Sequence, residues 1–169
     1  MHADALERAR EFARRHGLNL ERELGCGYEG VVFSTQDSTA VKALRYETHY
    51  HKERDVYLRL MEHGISLLNG FHIPRLMRYD DELWIVEMEI VSPPFVLDFA
   101  GAYLDEKPGY TRRELHQWER EKREQFGRRW PRVRSVLSAF RRYGIHLADV
   151  KPGNVVFREK SADDGGQKA

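Results

Sequence analysis

The chain has a single cysteine, Cys26, among its 169 residues and so cannot close an intramolecular disulfide. That absence points to a reducing, cytoplasmic setting. No apolar run comes near the ~20 residues that a membrane helix requires, so no membrane partner is expected. The opening Met1-His2-Ala3-Asp4-Ala5 lacks the basic-then-apolar pattern of a secretory signal. An excess of either charge is missing too. Lys and Arg number 28 against 27 Asp and Glu, which gives a global nucleic-acid or membrane-surface reading no support. What is present is enough apolar material for a core: 41% hydrophobic and 11% aromatic residues, which argues against wholesale disorder. The length fits one domain or two small lobes sharing a cleft.

Apolar residues at helical spacing from Ala5 to Ala13, stopped by Gly17, predict a first helix. Leu18, Leu20 and Leu24 alternate as in a half-buried strand, and Val31-Val32-Phe33 and Ala40 to Leu44 predict two more strands. A helix is expected from about Tyr46 to His63, then a hairpin of Leu76–Tyr79 with Leu83–Val91. This is a βββαββ order, five antiparallel strands and one helix, within residues 1–91. Ser92-Pro93-Pro94 breaks any regular element and is taken as a lobe boundary. Residues 92–158 read as mainly helical: the apolar stretch Phe95–Leu104, a charged helix opened by a Thr111/Glu114 capping box, and an amphipathic helix from Trp130 to Tyr143. Ile145–Phe157 reads as a loop running into a short strand, and residues 159–169 as a flexible polar tail.

Three segments carry chemistry. Gly25-Cys26-Gly27-Tyr28-Glu29-Gly30-Val31-Val32 fits G-x-G-x-x-G-x-V, whose glycines let backbone amides approach phosphate oxygens and adopt positive φ. A dinucleotide-binding loop shares the glycine spacing but opens a helix, whereas Val31-Val32 continues as a strand. An ordinary glycine-rich hairpin is the alternative. In Ala40-Val41-Lys42 the ammonium can neutralise phosphate charge if an acidic partner holds it. Glu53 is the candidate, with Val56, Tyr57 and Leu60 following on its helix face; Glu47 lies too near Lys42 to fold back easily. The alternative is a pair of solvated surface charges. In Asp149-Val150-Lys151-Pro152-Gly153-Asn154, a carboxylate at Asp149 can accept or orient a hydroxyl proton. Asn154 offers an amide oxygen to a hard cation such as Mg²⁺, and Lys151 can steady a phosphoryl group. A chance Pro-Gly turn is the alternative there.

Taken in order, the glycine loop, strand lysine, helix glutamate and D-x-x-x-x-N loop resemble the protein kinases and kinase-like phosphotransferases. The resemblance runs from about Leu18 to Phe157. It implies an α+β, protein kinase-like fold: an N-lobe with a five-stranded antiparallel sheet and its C-helix, and a short, mainly helical, truncated C-lobe. It implies ATP and Mg²⁺ as cofactors. Gly25, Gly27, Gly30, Val32, Ala40 and Lys42 would contact nucleotide. Met88-Glu89 looks like a gatekeeper and hinge, with adenine held by backbone groups near Glu89 and Val91. Lys42, Glu53, Asp149 and Lys151 would be catalytic.

Three departures qualify it. Leu147-Ala148 stands where a His-Arg pair would precede the catalytic aspartate, so control by activation-loop phosphorylation is not expected. No D-F-G follows Asn154; Asp163-Asp164-Gly165-Gly166 lies at a tolerable distance but in polar surroundings. Asp98-Phe99-Ala100-Gly101 does resemble a D-F-G segment, although it precedes the catalytic loop. Asp98 could supply the missing metal carboxylate, touch the ribose, or belong to the first helix after the hinge. No A-P-E segment is present, so a protein substrate or activating partner must be recognised otherwise.

The implied activity is transfer of the ATP γ-phosphate to a hydroxyl, serine or threonine of a protein. The alternatives are a pseudokinase that binds nucleotide or a partner without catalysis, and a small-molecule kinase of the aminoglycoside-phosphotransferase type. His49 and His51 are two apart and do not share a helix face, so with Glu53 they make a poor metal cluster. From Thr111 to Arg134 the 9 basic residues exceed the 4 acidic ones by 5, which with Trp118 and Trp130 suggests an RNA or partner face; a solvated helix is the other reading.

Overall fold

The computed structural model describes residues 2–159. The tail residues 160–169, with Asp163-Asp164-Gly165-Gly166, lie outside the described residues. Helix α1 (His2–His16) leads into strands β1 (Leu20–Cys26), β2 (Gly30–Thr35) and β3 (Thr39–Leu44), followed by α2 (Glu47–Glu62). Two short strands, β4 (Leu67–Leu68) and β5 (Phe71–His72), precede β6 (Leu76–Asp80) and β7 (Ile85–Glu89). Then come β8 (Phe95–Val96), β9 (Tyr103–Leu104), α3 (Arg112–Phe126), α4 (Trp130–Arg141), β10 (Ile145–His146) and β11 (Val155–Val156). The architecture is α+β, with a five-stranded sheet in the order β1-β2-β3-β7-β6 in which every pairing is antiparallel.

Alternation along β3 decides where the chemistry goes. Successive side chains of a strand point to opposite faces. Val41 and Ala43 join Val31, Ile85 and the Ala5, Ala9 and Phe12 stripe of α1 in one core cluster. Ala40 and Leu44 belong to the other cluster, with Val56, Tyr57 and Leu60 of α2. Lys42 shares the latter face. With helices on both sides, all six residues of β3 are buried, a charged lysine included. Arg8 ties α1 to the sheet by donating to the carbonyls of Leu83 (2.6 Å) and Leu44 (2.7 Å).

The five-stranded sheet and α2 follow the expected βββαββ order, with the unexpected β4 and β5 inserted between α2 and β6, and the Thr111/Glu114 capping box starts α3 as expected. Gly64, at φ 64, ends α2 in a conformation that favours glycine. The stretch Phe95–Leu104 is not helical, which corrects the reading of that stretch. It forms the two short strands β8 and β9 and the turn between them. β8 pairs antiparallel with β11 and parallel with β5, giving a four-stranded sheet β11-β8-β5-β4. β9 pairs with β10, inside what reads as a loop. The sequence-expected half-burial of β1 is also corrected. Six of its seven residues are exposed, because it is an edge strand whose Leu24 looks into the cleft instead of a core.

Candidate active site

A cleft of ≈ 670 Å³ lies between the sheet and the β8/β11 region. Every residue expected at the site lines it: Gly25, Gly27, Gly30, Val32, Ala40, Lys42, Glu53, Met88, Glu89, Val91, Asp98, Asp149, Lys151 and Asn154.

The glycine loop divides into two roles. A Cβ at Gly30 would collide with the Ala43 carbonyl on β3, so this glycine permits close strand packing. Gly25 and Gly27 have no atom within 4 Å of a would-be Cβ; what they leave clear is cleft. None of the three has positive φ, so the expected left-handed backbone is corrected: only close approach needs glycine here. At its tip Tyr28 packs against Tyr46 (ring centroids 5.3 Å apart), and both rings meet His49. His49 thus belongs to an aromatic cluster and not to a metal site with Glu53.

Lys42 Nζ donates to Glu53 Oε2 at 2.6 Å and to Asp98 Oδ1 at 2.9 Å. Glu53 is fully buried on α2 in register with Tyr50, Val56, Tyr57 and Leu60, the face predicted for it. Burial pulls the lysine toward neutrality, but the Glu53 and Asp98 carboxylates outweigh it and hold the ammonium above the usual lysine range. Removing one member of such a pair strands a charge in the interior.

Three features hold Asp98. Phe99 is fully buried, edge-on to Tyr57 of α2 (5.1 Å) and against Phe140 of α4 (5.8 Å). The Leu97 amide donates to the Asn154 carbonyl at 3.0 Å, extending the β8–β11 ladder. Asp98 itself sits at φ 72, a left-handed conformation that aspartate tolerates better than most residues. Gly101 then lets this turn approach the catalytic loop, since its would-be Cβ lies 3.3 Å from Asp149 Cβ. The D-F-A-G segment is therefore not part of a helix. It enters ahead of the catalytic loop in sequence and lies beside it in space.

The Asp149 side chain is 38% exposed and accepts from Lys151 Nζ at 2.7 Å. Asn154 Nδ2 donates to the Asp149 backbone carbonyl at 3.2 Å and its carboxylate at 3.4 Å. Its amide nitrogen being so engaged, its amide oxygen is available to a cation.

The residue that the sequence reading missed is Glu29. Carboxylate oxygens of Glu29, Asp98 and Asp149 all lie within 4.8 Å of one another. Burial and the hydrogen-bonded Asp98 carboxylate push the Glu29 pKa up to about 8. Burial pushes Asp98 upward as well, but the Lys42 ammonium and the Glu29 hydrogen bond prevail, and its pKa falls to about 2. The pair thus shares one proton at neutral pH. With the Asn154 amide the donors are all hard oxygens, the set that Mg²⁺ prefers. A carboxylate between Gly27 and Gly30 was a visible signal, but it reads as a loop-surface charge until Asp98 is known to face it.

At the hinge, the Glu89 amide donates to the Arg75 carbonyl (2.9 Å) and is spent on the sheet. The Val91 amide has no such partner among the described residues. Trp130 is buried and Trp118 packs against it at 6.1 Å, so these rings do not form the stacking platform that an RNA face needs.

The arrangement is kinase-like: a lysine on the third strand paired to the helix behind it, a glycine loop above, and a D-x-x-x-x-N loop opposite. No protein-family model matches the chain, and no curated protein matches it. Among solved structures it is similar to a streptomycin–ATP–APH(2″)-IIa ternary complex and to the aminoglycoside phosphotransferase APH(2″)-Ib, ADP-bound. Each shares 15% identity at a TM-score of 0.40, over 71% of this chain and 35% of theirs. The chain spans about a third of the length of those proteins.

Proposed function

We propose that the chain is an ATP- and Mg²⁺-dependent phosphotransferase that moves the γ-phosphoryl group to a hydroxyl, in a protein's serine or threonine. The observation that carries this reading is the bridging of Lys42 by Glu53 and Asp98 within the cleft that also holds Asp149. Residues 1–91 and 92–158 act as two lobes around the nucleotide, with β4 and β5 of the first joined to the sheet of the second. The glycine loop closes over the phosphates, and Gly25 and Gly27 leave room for their close approach. Val32, Ala40 and Met88 enclose the base, and Val91 offers it a backbone donor. Lys42, kept charged and fixed by Glu53, presents its ammonium to phosphate oxygens.

Asp98, Asn154 and Asp149, joined by Glu29, would hold the metal, which when bound neutralises phosphate charge. Asp149 accepts the acceptor's hydroxyl proton as the new O–P bond forms, and the bond from the γ-phosphorus to the bridging oxygen breaks, releasing ADP. Lys151 stabilises charge on the transferring group. Among the described residues no helix is long and apolar enough to cross a membrane, and we place the activity in the cytoplasm, where ATP and reduced Cys26 coexist.

The test is transfer of radiolabelled γ-phosphate to a panel of serine and threonine proteins, with streptomycin as a small-molecule arm. Labelling by the wild type and none by Asp149→Ala supports the proposal. Nucleotide binding without transfer to any acceptor makes the chain a nucleotide-binding scaffold instead, and labelling of streptomycin alone moves it to the small-molecule class.

A further inference from the structure

A second cavity of ≈ 310 Å³ lies among helices α3 and α4 and the His146-Leu147 stretch that leads to Asp149. Its walls include Tyr110 and Trp118, with Leu137 and Leu147 as apolar floor, and it carries Lys107 and Arg141. Leu147 is two residues before Asp149, so the cavity adjoins the proton-accepting carboxylate along the chain. Three residues of extended backbone reach at most ~11 Å, which bounds the span from His146 to Asp149.

The charge of this region is one-sided. Lys107 and Arg141 make no ion pair among the described residues, unlike Arg54 and Arg59, which hold Asp81 and Asp105. His146 lies beside them. Burial, then Arg141 and Lys107, push its pKa down against the pull of Asp105, which disfavours a third positive charge next to those two side chains. Lys122 stands over the Trp118 ring at 5.9 Å and within electrostatic range of Asp149. Glu119 is the single acidic residue in the lining. Two cations without an ion pair among the described residues, beside an aromatic wall, suit an anion and repel a polycation.

Building on the phosphotransfer reading, we propose that this cavity selects the acceptor by an acidic side chain near the accepting hydroxyl. The ligand is an acidic peptide with Asp or Glu about two to four residues from its serine or threonine. Its carboxylate seats between Lys107 and Arg141, while the hydroxyl reaches Asp149.

The proposal is tested by fluorescence anisotropy with three labelled serine peptides that differ only in their flanks: glutamates, alanines or lysines. The glutamate peptide is expected to bind at least ~10-fold more tightly than the other two, and to lose that advantage in the Lys107→Glu/Arg141→Glu double variant. Both positions are exposed, so the variant should fold; an unchanged thermal shift with ATP checks that. Equal binding of the three peptides, a preference for the lysine peptide, displacement by streptomycin, or no effect of the double variant would each overturn it. A glutamate peptide that binds and is released by the variant, in a protein that ATP does not stabilise, leaves the cavity's assignment standing and removes the phosphotransfer reading instead.

Discussion

Asp98 accepts a 2.9 Å hydrogen bond from Lys42, although the two residues are 56 positions apart and Asp98 precedes the catalytic loop. Two short ladders make this possible. β3 carries Lys42 into the cleft from the sheet, and β8 delivers Asp98 next to Asn154 through its pairing with β11. Under the proposed function, the carboxylate that ordinarily follows a catalytic loop would come instead from the segment after Pro94. Asp98→Asn keeps the shape and removes the charge. Phosphoryl transfer should fall roughly 10²–10³-fold, while far-UV circular dichroism is unchanged. Transfer within a factor of two of wild type would remove Asp98 from the site.

Lys42 and Glu53 are both buried, so breaking their pair should cost stability as well as activity. Lys42→Met leaves Glu53 without its counter-charge and is expected to lower unfolding free energy by about 3–5 kcal/mol. Urea denaturation measures it. The double variant Lys42→Met/Glu53→Leu should recover only part of the loss, because Glu53 then leaves no buried charge while Asp98 still lacks its lysine partner.

The three loop glycines should separate cleanly. Gly30→Ala drives a methyl into the Ala43 carbonyl and is expected to destabilise the sheet by roughly 1–3 kcal/mol. Gly25→Ala and Gly27→Ala have open space and should keep the wild-type melting temperature while weakening ATP binding. Thermal melts with and without ATP distinguish the two classes.

Glu29 sets a pH dependence of a defined sign. Its folded pKa, about 8, is above the ordinary 4.5 of a glutamate, so between those values the unfolded chain ionises first and stability drains away as pH rises. Asp98 acts in the opposite sense at lower pH: its stabilisation is present above 3.8 and is lost as pH falls toward 2. From pH 5 to 8 the metal-free melting temperature should therefore decline more in wild type than in Glu29→Gln. Mg²⁺ affinity, followed by calorimetry, should rise with pH through about 8 in the wild type and stay flatter in the variant.

Much of this was legible before coordinates. A lysine inside the apolar run Ala40–Leu44 needs an acidic partner, and Glu53 shares a helix face with Val56, Tyr57 and Leu60, so the sequence offers Lys42 and Glu53 as a pair. Asp149 and Asn154 carried a fixed spacing. Phe95–Leu104 was illegible for a physical reason: its strands are two residues long, too short to show a period. Their partners, Phe71–His72, Ile145–His146 and Val155–Val156, lie far off in sequence. Glu29 was hidden for the same cause, since only that long-range pairing brings Asp98 beneath it.

The most direct test is a crystal structure of the chain with a non-hydrolysable ATP analogue and Mn²⁺, whose anomalous signal marks the metal. The account predicts the triphosphate under Gly25–Gly30 with Lys42 on its oxygens, and the metal peak among Asp98, Asp149 and Asn154. A nucleotide bound elsewhere, or a metal peak away from Asp98, would contradict it.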